Sequence, residues 1–314
     1  MIATLPSLDV PRPARLRLQR VGFALAVTIP ALGAVAAPLY SLHVGPSLVE
    51  PLSFSTMLTI SGVGIELGYH RYFSHQAFSA KPWLRALLAI AGNTAVQGPV
   101  MYWVAHHRLH HARSDREGDP HSPHLGRSPW RGFVHAHVGW IFASTRASPG
   151  RYARDILNDR ALQWIDRRFL LWITLGLFAP ALVAGLVSWS LRGAVAGFLW
   201  GGLLRVFVAQ HTTYAVNSLC HLFGARPFAG RDQSRNIGWL VLPTFGGSLH
   251  NNHHAFPSTA DNGLSPGELD PSALLLRVCS ALGWVWDVKK PTPAQVERRR
   301  RSNDEMKETG PDDE

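Results

Sequence analysis

Residues 21–49 contain no Asp, Glu, Lys or Arg. About 20 apolar residues carry a helix across a bilayer, whereas the apolar core of a secretory leader runs only about 7–15. The stretch therefore reads as a membrane-spanning helix, with Pro30 and Pro38 kinking or ending it. Three further runs resemble it: 51–69, interrupted only by Glu66; 169–191, uncharged throughout; and 193–219, holding Arg205 and His211. The expected architecture is an all-α integral membrane protein with four transmembrane helices in two hairpins, at about 21–43, 51–69, 169–191 and 193–217. Turns fall near 43–50 and 191–193. A helical cap formed by 70–168 and 218–291 completes the fold and carries the site. A basic arm, 1–20, holding Arg12, Arg15, Arg17 and Arg20, and a charged tail, 292–314, are expected to be disordered extensions.

The distribution of positive charge supports this topology. With both ends on one side, that side receives 29 of the 31 Lys and Arg residues, leaving Arg192 in a far-side turn and Arg205 inside a span. Cytoplasmic loops carry such an excess, so both termini and the cap are expected in the cytoplasm. Residues 86–105 are also uncharged. Crossing the membrane there would divide the basic residues between faces, so a buried or re-entrant helix bent near Gly98-Pro99 is expected instead. With 46% hydrophobic and 17% charged residues, the chain can bury a core, which excludes disorder. Two cysteines, Cys220 and Cys279, exclude a disulfide framework, a zinc ribbon and a cysteine-ligated iron–sulfur cluster. Topology accounts for the net charge of +10, so nucleic acid is not an expected partner.

The chemistry should lie in the 16 histidines. His70-x4-His75 follows the second span. Five residues subtend about 140° on an α-helix, so both rings reach one ion only if that helix ends between them. His107, His110 and His111 stand at i, i+3 and i+4, neighbours on a helical face, and His250, His253 and His254 repeat the spacing. Asn217 and His221 lie four apart at the end of the fourth span. Imidazole is the commonest metal ligand. Eight box histidines plus His221 exceed the needs of one tetrahedral ion, so two metals are expected. Glu-x-x-His, the mark of soluble di-iron carboxylate bundles, is missing from the boxes.

The set resembles the membrane fatty-acyl desaturases, especially their acyl-CoA Δ9 (stearoyl-CoA-like) branch. The resemblance is carried by Gly-Tyr-His70-Arg-Tyr-Phe-Ser-His75, His107-x-x-His110-His111, Asn217-Ser-Leu-Cys-His221, His250-Asn-Asn-His-His-Ala-Phe-Pro257 and Trp286-Asp-Val-Lys-Lys-Pro291. It implies a di-iron centre held by His70, His75, His107, His110, His111, His221, His250, His253 and His254, with Asn217 acting through water. It implies a bent substrate tunnel lined by Gln97, Trp103, Thr213 and Tyr214, and contact of Arg167 and Arg168 with the substrate headgroup. His106 falls outside the ligand set; animal members carry Arg-Asp where this chain has Ala105-His106, so the CoA or supporting contact made there is not implied for this chain. His121 reads as supporting or structural. His43, His124, His135, His137 and His211 read as structural or surface residues.

The implied reaction uses O2 and two external electrons to introduce a cis double bond, at Δ9, into a saturated fatty acyl-CoA or acyl-lipid. No dinucleotide-binding or haem motif is present, so electrons must come from a separate ferredoxin or cytochrome b5-type donor and its reductase. The Ala- and Arg-rich composition suggests a bacterial inner membrane. Two other readings stand beside this one: a lipid hydroxylase or ketolase on the same centre, and, in a different class, a membrane metal transporter or sensor. Transporters, however, place their ligands near the midplane of the spans.

Overall fold

The computed structural model describes residues 8–9, 11–126 and 128–308, with side chains to residue 300. Helix α1, Pro13–Val44, begins with proline at its first position, where the missing N–H costs nothing. Arg15, Arg17 and Arg20 thus belong to the helix rather than to a disordered arm. Its buried residues are Pro30, Gly33, Ala37 and Ser41, a stripe at three- and four-residue spacing. Leu32, Leu39 and Leu42 on its other faces are exposed. Small residues inward and large apolar ones outward is the pattern of a helix meeting neighbours on one side and lipid on the other. A methyl on Gly33 would lie 2.2 Å from the Leu203 side chain, so only glycine permits this approach.

Helix α2, Val49–Val63, continues without a break into a π-helix, Gly64–Ser74. Helix α3, Pro82–Thr94, packs on that π-helix through an equally close contact: a Cβ on Gly64 would meet the Gly92 nitrogen at 2.2 Å. The chain then bends, with Val96 and Gly98 at positive φ, and enters helix α4, Val100–Arg113. The expected re-entrant element is therefore two short helices, α3 and α4, joined by a bend. Asp166 accepts hydrogen bonds from the first two amides of α4, Val100 N and Met101 N, both at 3.0 Å. Helix α5, Phe169–Ser188, pairs with α6, Leu191–Leu222, whose middle, Gly197–Leu204, is again π-helical.

Among the described residues three helices are long and apolar enough to cross a membrane: α1, α5 and α6. The second expected span is the composite of α2 and its π-helical extension. Around the site lie the short helices Pro129–His137, His250–Ala255 and Pro271–Ala281. Two short antiparallel pairings, Leu8–Asp9 with Arg146–Ala147 and Ser79–Ala80 with Val285–Trp286, tie the N-terminal segment and the end of the cap to it. The tail, read as disordered from its charge, is helical over Pro293–Glu308. The remainder of that segment, 309–314, and residues 1–7 of the arm lie outside the described residues.

Candidate metal centre

Nine histidines converge into two groups. His70, His75, His107, His111 and His253 form one, His110, His221, His250 and His254 the other, and the ligand atoms within each group lie within 4.8 Å of one another. In the first, His70 Nε2 is 3.0 Å from His253 Nε2, His75 Nε2 is 2.7 Å from His107 Nε2, and His253 Nε2 is 3.0 Å from His111 Nε2. In the second, His221 Nε2 and His250 Nε2 are 3.0 Å apart. Each H-x-x-H-H box is split between the groups. Helix α4 gives His107 and His111 to the first and His110 to the second, while His250–Ala255 gives one to the first and two to the second.

The π-helix explains how His70 and His75 meet. Its i→i+5 hydrogen bonds, His75 N to His70 O among them at 3.1 Å, stack residues five apart. The rings stand 4.9 Å centroid to centroid. The helix does end at Ser74, as the spacing requires, but the wider winding also brings the two rings together.

Four carboxylates fix the tautomers of four rings. Glu66 accepts from His70 Nδ1 at 3.0 Å, Asp119 from His110 Nδ1 at 3.0 Å, and Asp115 from His221 Nδ1 at 2.8 Å; Asp232 lies 3.4 Å from His254 Nδ1. A neutral imidazole that donates from Nδ1 presents a lone pair at Nε2. In the second group this turns the Nε2 lone pairs of His110, His221 and His254 toward each other. Those of His110 and His254 are buried without a hydrogen-bond partner. Convergent lone pairs repel unless a cation lies between them, and a carboxylate behind a ligating imidazole is the usual support of a metal site. The residues present therefore fit two metal ions.

The electrostatics agree. Burial first, and then the charges of neighbouring rings, push protonation of His75, His107, His111, His250 and His253 well below the ordinary histidine range. Burial likewise takes His254 down to about 4, against the pull of Asp232. Burial acts in the same sense on His110, but Asp119 outweighs it and raises that ring's pKa. Asp115, Asp119 and Asp232 are held below the usual carboxylate range despite burial, by their histidine partners and local hydrogen bonds. None of these carboxylates was singled out from sequence. Glu66 carried a signal, four residues before His70, and Asp119 sits in Asp-Pro-His; Asp115 and Asp232 had none.

His106 donates from Nδ1 to Tyr102 O at 2.8 Å and accepts from Ala147 N at 3.3 Å, so both nitrogens are engaged away from the two groups. His121 stacks near His110, at 4.3 Å between centroids, and its Nδ1 is 4.0 Å from Asp119. His124 and His135 bond backbone carbonyls, of His221 and Pro120. His137 bridges His211 and Ser218, and His43 is exposed.

Two cavities adjoin the centre and a third lies outside them. An outer one of ≈ 970 Å³, with Arg12, Arg15 and Arg146 in its wall, shares Phe23, Val96 and Tyr102 with a narrow middle one of ≈ 50 Å³. The middle cavity shares Trp103, His107, Thr213 and Asn217 with an inner one of ≈ 60 Å³, where Leu58, Gly62 and Phe245 also lie. Gln97, Trp103, Thr213 and Tyr214 are brought together in the middle wall. Gln97 Nε2 donates to Thr213 Oγ1 at 3.0 Å, Trp103 Nε1 donates to Gln97 Oε1 at 3.4 Å, and Trp103 stacks on His107. Arg167 and Arg168 line none of the three. They are exposed and bond Gln163 and the Trp164 carbonyl, just before Phe169 and Leu170, which do line the outer cavity.

Long apolar helices carrying a buried double cluster of histidines define a class of membrane proteins equipped to hold two metal ions. Within that class the assignment is direct: residues 46–267 match the model of the fatty acid desaturase family, and the chain belongs to that family. It is 41% identical over 289 residues, 90% of each chain, to the hex-5-enoyl-[acyl-carrier protein] acetylenase of Moorena producens (strain JHB). It is 37% identical over 287 residues to the Delta-9 acyl-lipid desaturase 2 of Arabidopsis thaliana, covering 90% of this chain and 86% of the relative. Against the sn-1 stearoyl-lipid 9-desaturase of Synechocystis sp. (strain ATCC 27184 / PCC 6803 / Kazusa) the figures are 35% over 243 residues, 76% and 71%. The chain is an oxidoreductase-family membrane protein acting on fatty acyl chains.

Proposed function

We propose that the chain is an oxygen-dependent di-iron fatty-acyl desaturase that introduces a cis double bond at Δ9 of a saturated acyl chain. The observation that carries this reading is the pair of histidine groups, backed by four carboxylates, set against narrow cavities that share His107 and Asn217. The overall change is –CH2–CH2– + O2 + 2 e⁻ + 2 H⁺ → –CH=CH– + 2 H2O. Two irons held by the nine histidines, one also through a water on Asn217, would supply the oxidation that no side-chain acid or base can perform on an unactivated methylene.

The protein's own residues supply position. Methylenes are chemically alike, so the bond attacked is chosen by geometry. The Trp103–Gln97–Thr213 hydrogen bonds hold the bend of the channel against His107. Leu58, Gly62, Val216 and Phe245 receive the methyl end and exclude water. Arg12, Arg15 and Arg146 at the outer cavity, with Arg167 and Arg168 nearby, suit an anionic carrier group. Acyl-CoA and acyl-lipid both provide one; the relatives' names include lipid, acyl-carrier-protein and acyl-CoA carriers.

In this reading α1, the α2 composite, α5 and α6 are four spans, and both termini and the centre face the cytoplasm of a bacterial inner membrane. A chain of net charge +10 suits an acidic ferredoxin or cytochrome b5-type donor and anionic lipids. The decisive experiment is expression in a host lacking its own desaturase, with mass spectrometry of total fatty acids beside a His110→Ala control. A new monoene absent from the control supports the reading. A hydroxylated or ketone product would move the activity to the sister oxidations. Zinc, or no metal, in the purified chain and no new lipid would sink it.

A further inference from the structure

The middle cavity contains more hydrogen-bonding capacity than the protein uses. Tyr102 Oη and Trp140 Nε1 are buried and have no hydrogen-bond partner, and both residues stand in its wall. The same wall holds the apolar Phe23, Ala26, Val27, Val96 and Ile141, while the polar Gln97 and His106 are engaged in hydrogen bonds of their own. His121 Nδ1 is a third such atom, but its ring packs on His110 and belongs to the metal side. An indole N–H can only donate, and a phenol donates readily. Buried donors are normally paired, so two unpaired in one wall suit a ligand that brings an acceptor.

The position of the cavity limits what that acceptor can be. Outward it shares Phe23, Val96, Tyr102 and His106 with the basic outer cavity; inward it shares Trp103 and His107 with the cavity beside the histidine groups. An acyl chain entering with its carrier outermost and its methyl end innermost carries one acceptor at the junction, its carbonyl oxygen, which can accept two hydrogen bonds. We propose that Tyr102 and Trp140 form a carbonyl subsite that grips the ester or thioester C=O of the acyl substrate. They are positioning residues. By fixing the carbonyl they set the count of methylenes between it and His107, and so the carbon that is oxidised. This deepens the desaturase reading and rests on it for the identity of the ligand.

The test uses the purified, iron-loaded full chain and matched ligand pairs of one acyl length. One pair is a saturated acyl-CoA and its S-alkyl-CoA thioether; the other is a diacyl phospholipid and its dialkyl ether. Wild type is expected to bind the carbonyl member of one pair about 10-fold more tightly, and the pair that shows the preference identifies the carrier. Tyr102→Phe, which keeps its ring against Phe23 and His106, and Trp140→Phe should each reduce that preference about 3- to 10-fold. The double variant should abolish it while thioether or ether binding and iron content stay unchanged. In the expression host, the same variants should spread the double bond over adjacent positions.

An undiminished preference in the double variant, or none in wild type for either pair, overturns the subsite. Binding needs no turnover, so the two readings fail separately. A wild-type chain that discriminates the carbonyl but makes no double bond leaves the subsite and removes the desaturase. One that makes the bond without discriminating does the reverse.

Discussion

The guanidinium of Arg205 donates to the main-chain carbonyl of Thr94, the last residue of α3. It also bonds Ser61 Oγ at 2.9 Å, Gly201 O at 2.8 Å and Gly176 O, and it is fully buried. A cation at a helix C-terminus meets the negative end of the helix dipole, and here it joins α2, α3, α5 and α6 at one point.

Arg205→Met should therefore destabilise the fold rather than the chemistry. It leaves the Thr94 and Gly176 carbonyls buried and unpaired, at about 1–3 kcal/mol each. Thermal unfolding in detergent should show a marked fall in Tm, with the histidine centre still loading metal in the fraction that folds. An unchanged Tm would show that water reaches those carbonyls.

The carboxylates behind the imidazoles should control metal retention. Asp119→Asn, which removes the charge behind His110, should weaken metal binding about 10- to 100-fold. Glu66→Gln should do the same at His70 and also cost folding, because Glu66 pairs with Arg71 at 2.9 Å, and Arg71 in turn with Asp270 at 2.8 Å. Chelator titration followed by elemental analysis separates the two effects from a melting curve.

Phe245 should limit chain length. It stands in the inner cavity, and a methyl on Gly62 would lie 2.1 Å from its ring. Phe245→Ala should shift the preferred substrate to longer acyl chains. Gly62→Ala should shift it to shorter ones or lower Tm. A preference that stays put in both variants would place the end of the channel elsewhere.

Asp166 should make stability depend on pH. Burial raises its carboxyl to about 6 even though the Val100 and Met101 amides favour the anion. With the folded value above the unfolded value of about 3.9, the folded state holds the proton more tightly between those limits. Stability from this group is then present in acid and lost as pH rises through about 4–6, up to about 3 kcal/mol. Asp166→Asn should flatten that part of the Tm–pH curve; an unaltered slope would assign it to other groups.

The features legible in the sequence were local ones. Long uncharged runs and H-x-x-H-H spacing each state their physics within a few residues, so α1, α5, α6 and the clustering of the nine histidines could be anticipated. The division of each box between two groups could not, because residues at i, i+3 and i+4 share a face wide enough to border two sites. Asp115 pairs with His221 across 106 positions, and no local pattern announces such a partner. Charge misled at both ends. The arm and tail read as disordered, yet Pro13 and Pro293 each open a helix, and proline at a first helical position was a signal that could have been used.

The π-helix at Gly64–Ser74 differs from an α-helix by one extra residue in the turn. Rewound as an α-helix with the same residues, it would set His75 about 140° round the axis from His70, away from His107, while His70 stayed near Glu66. Deleting one residue between the two histidines while restoring α winding would leave them neighbours, because residues four apart share a face of an α-helix as residues five apart do here. The first histidine group thus owes one of its five members to the winding of a single helical turn, not to the identity of the residues that make it.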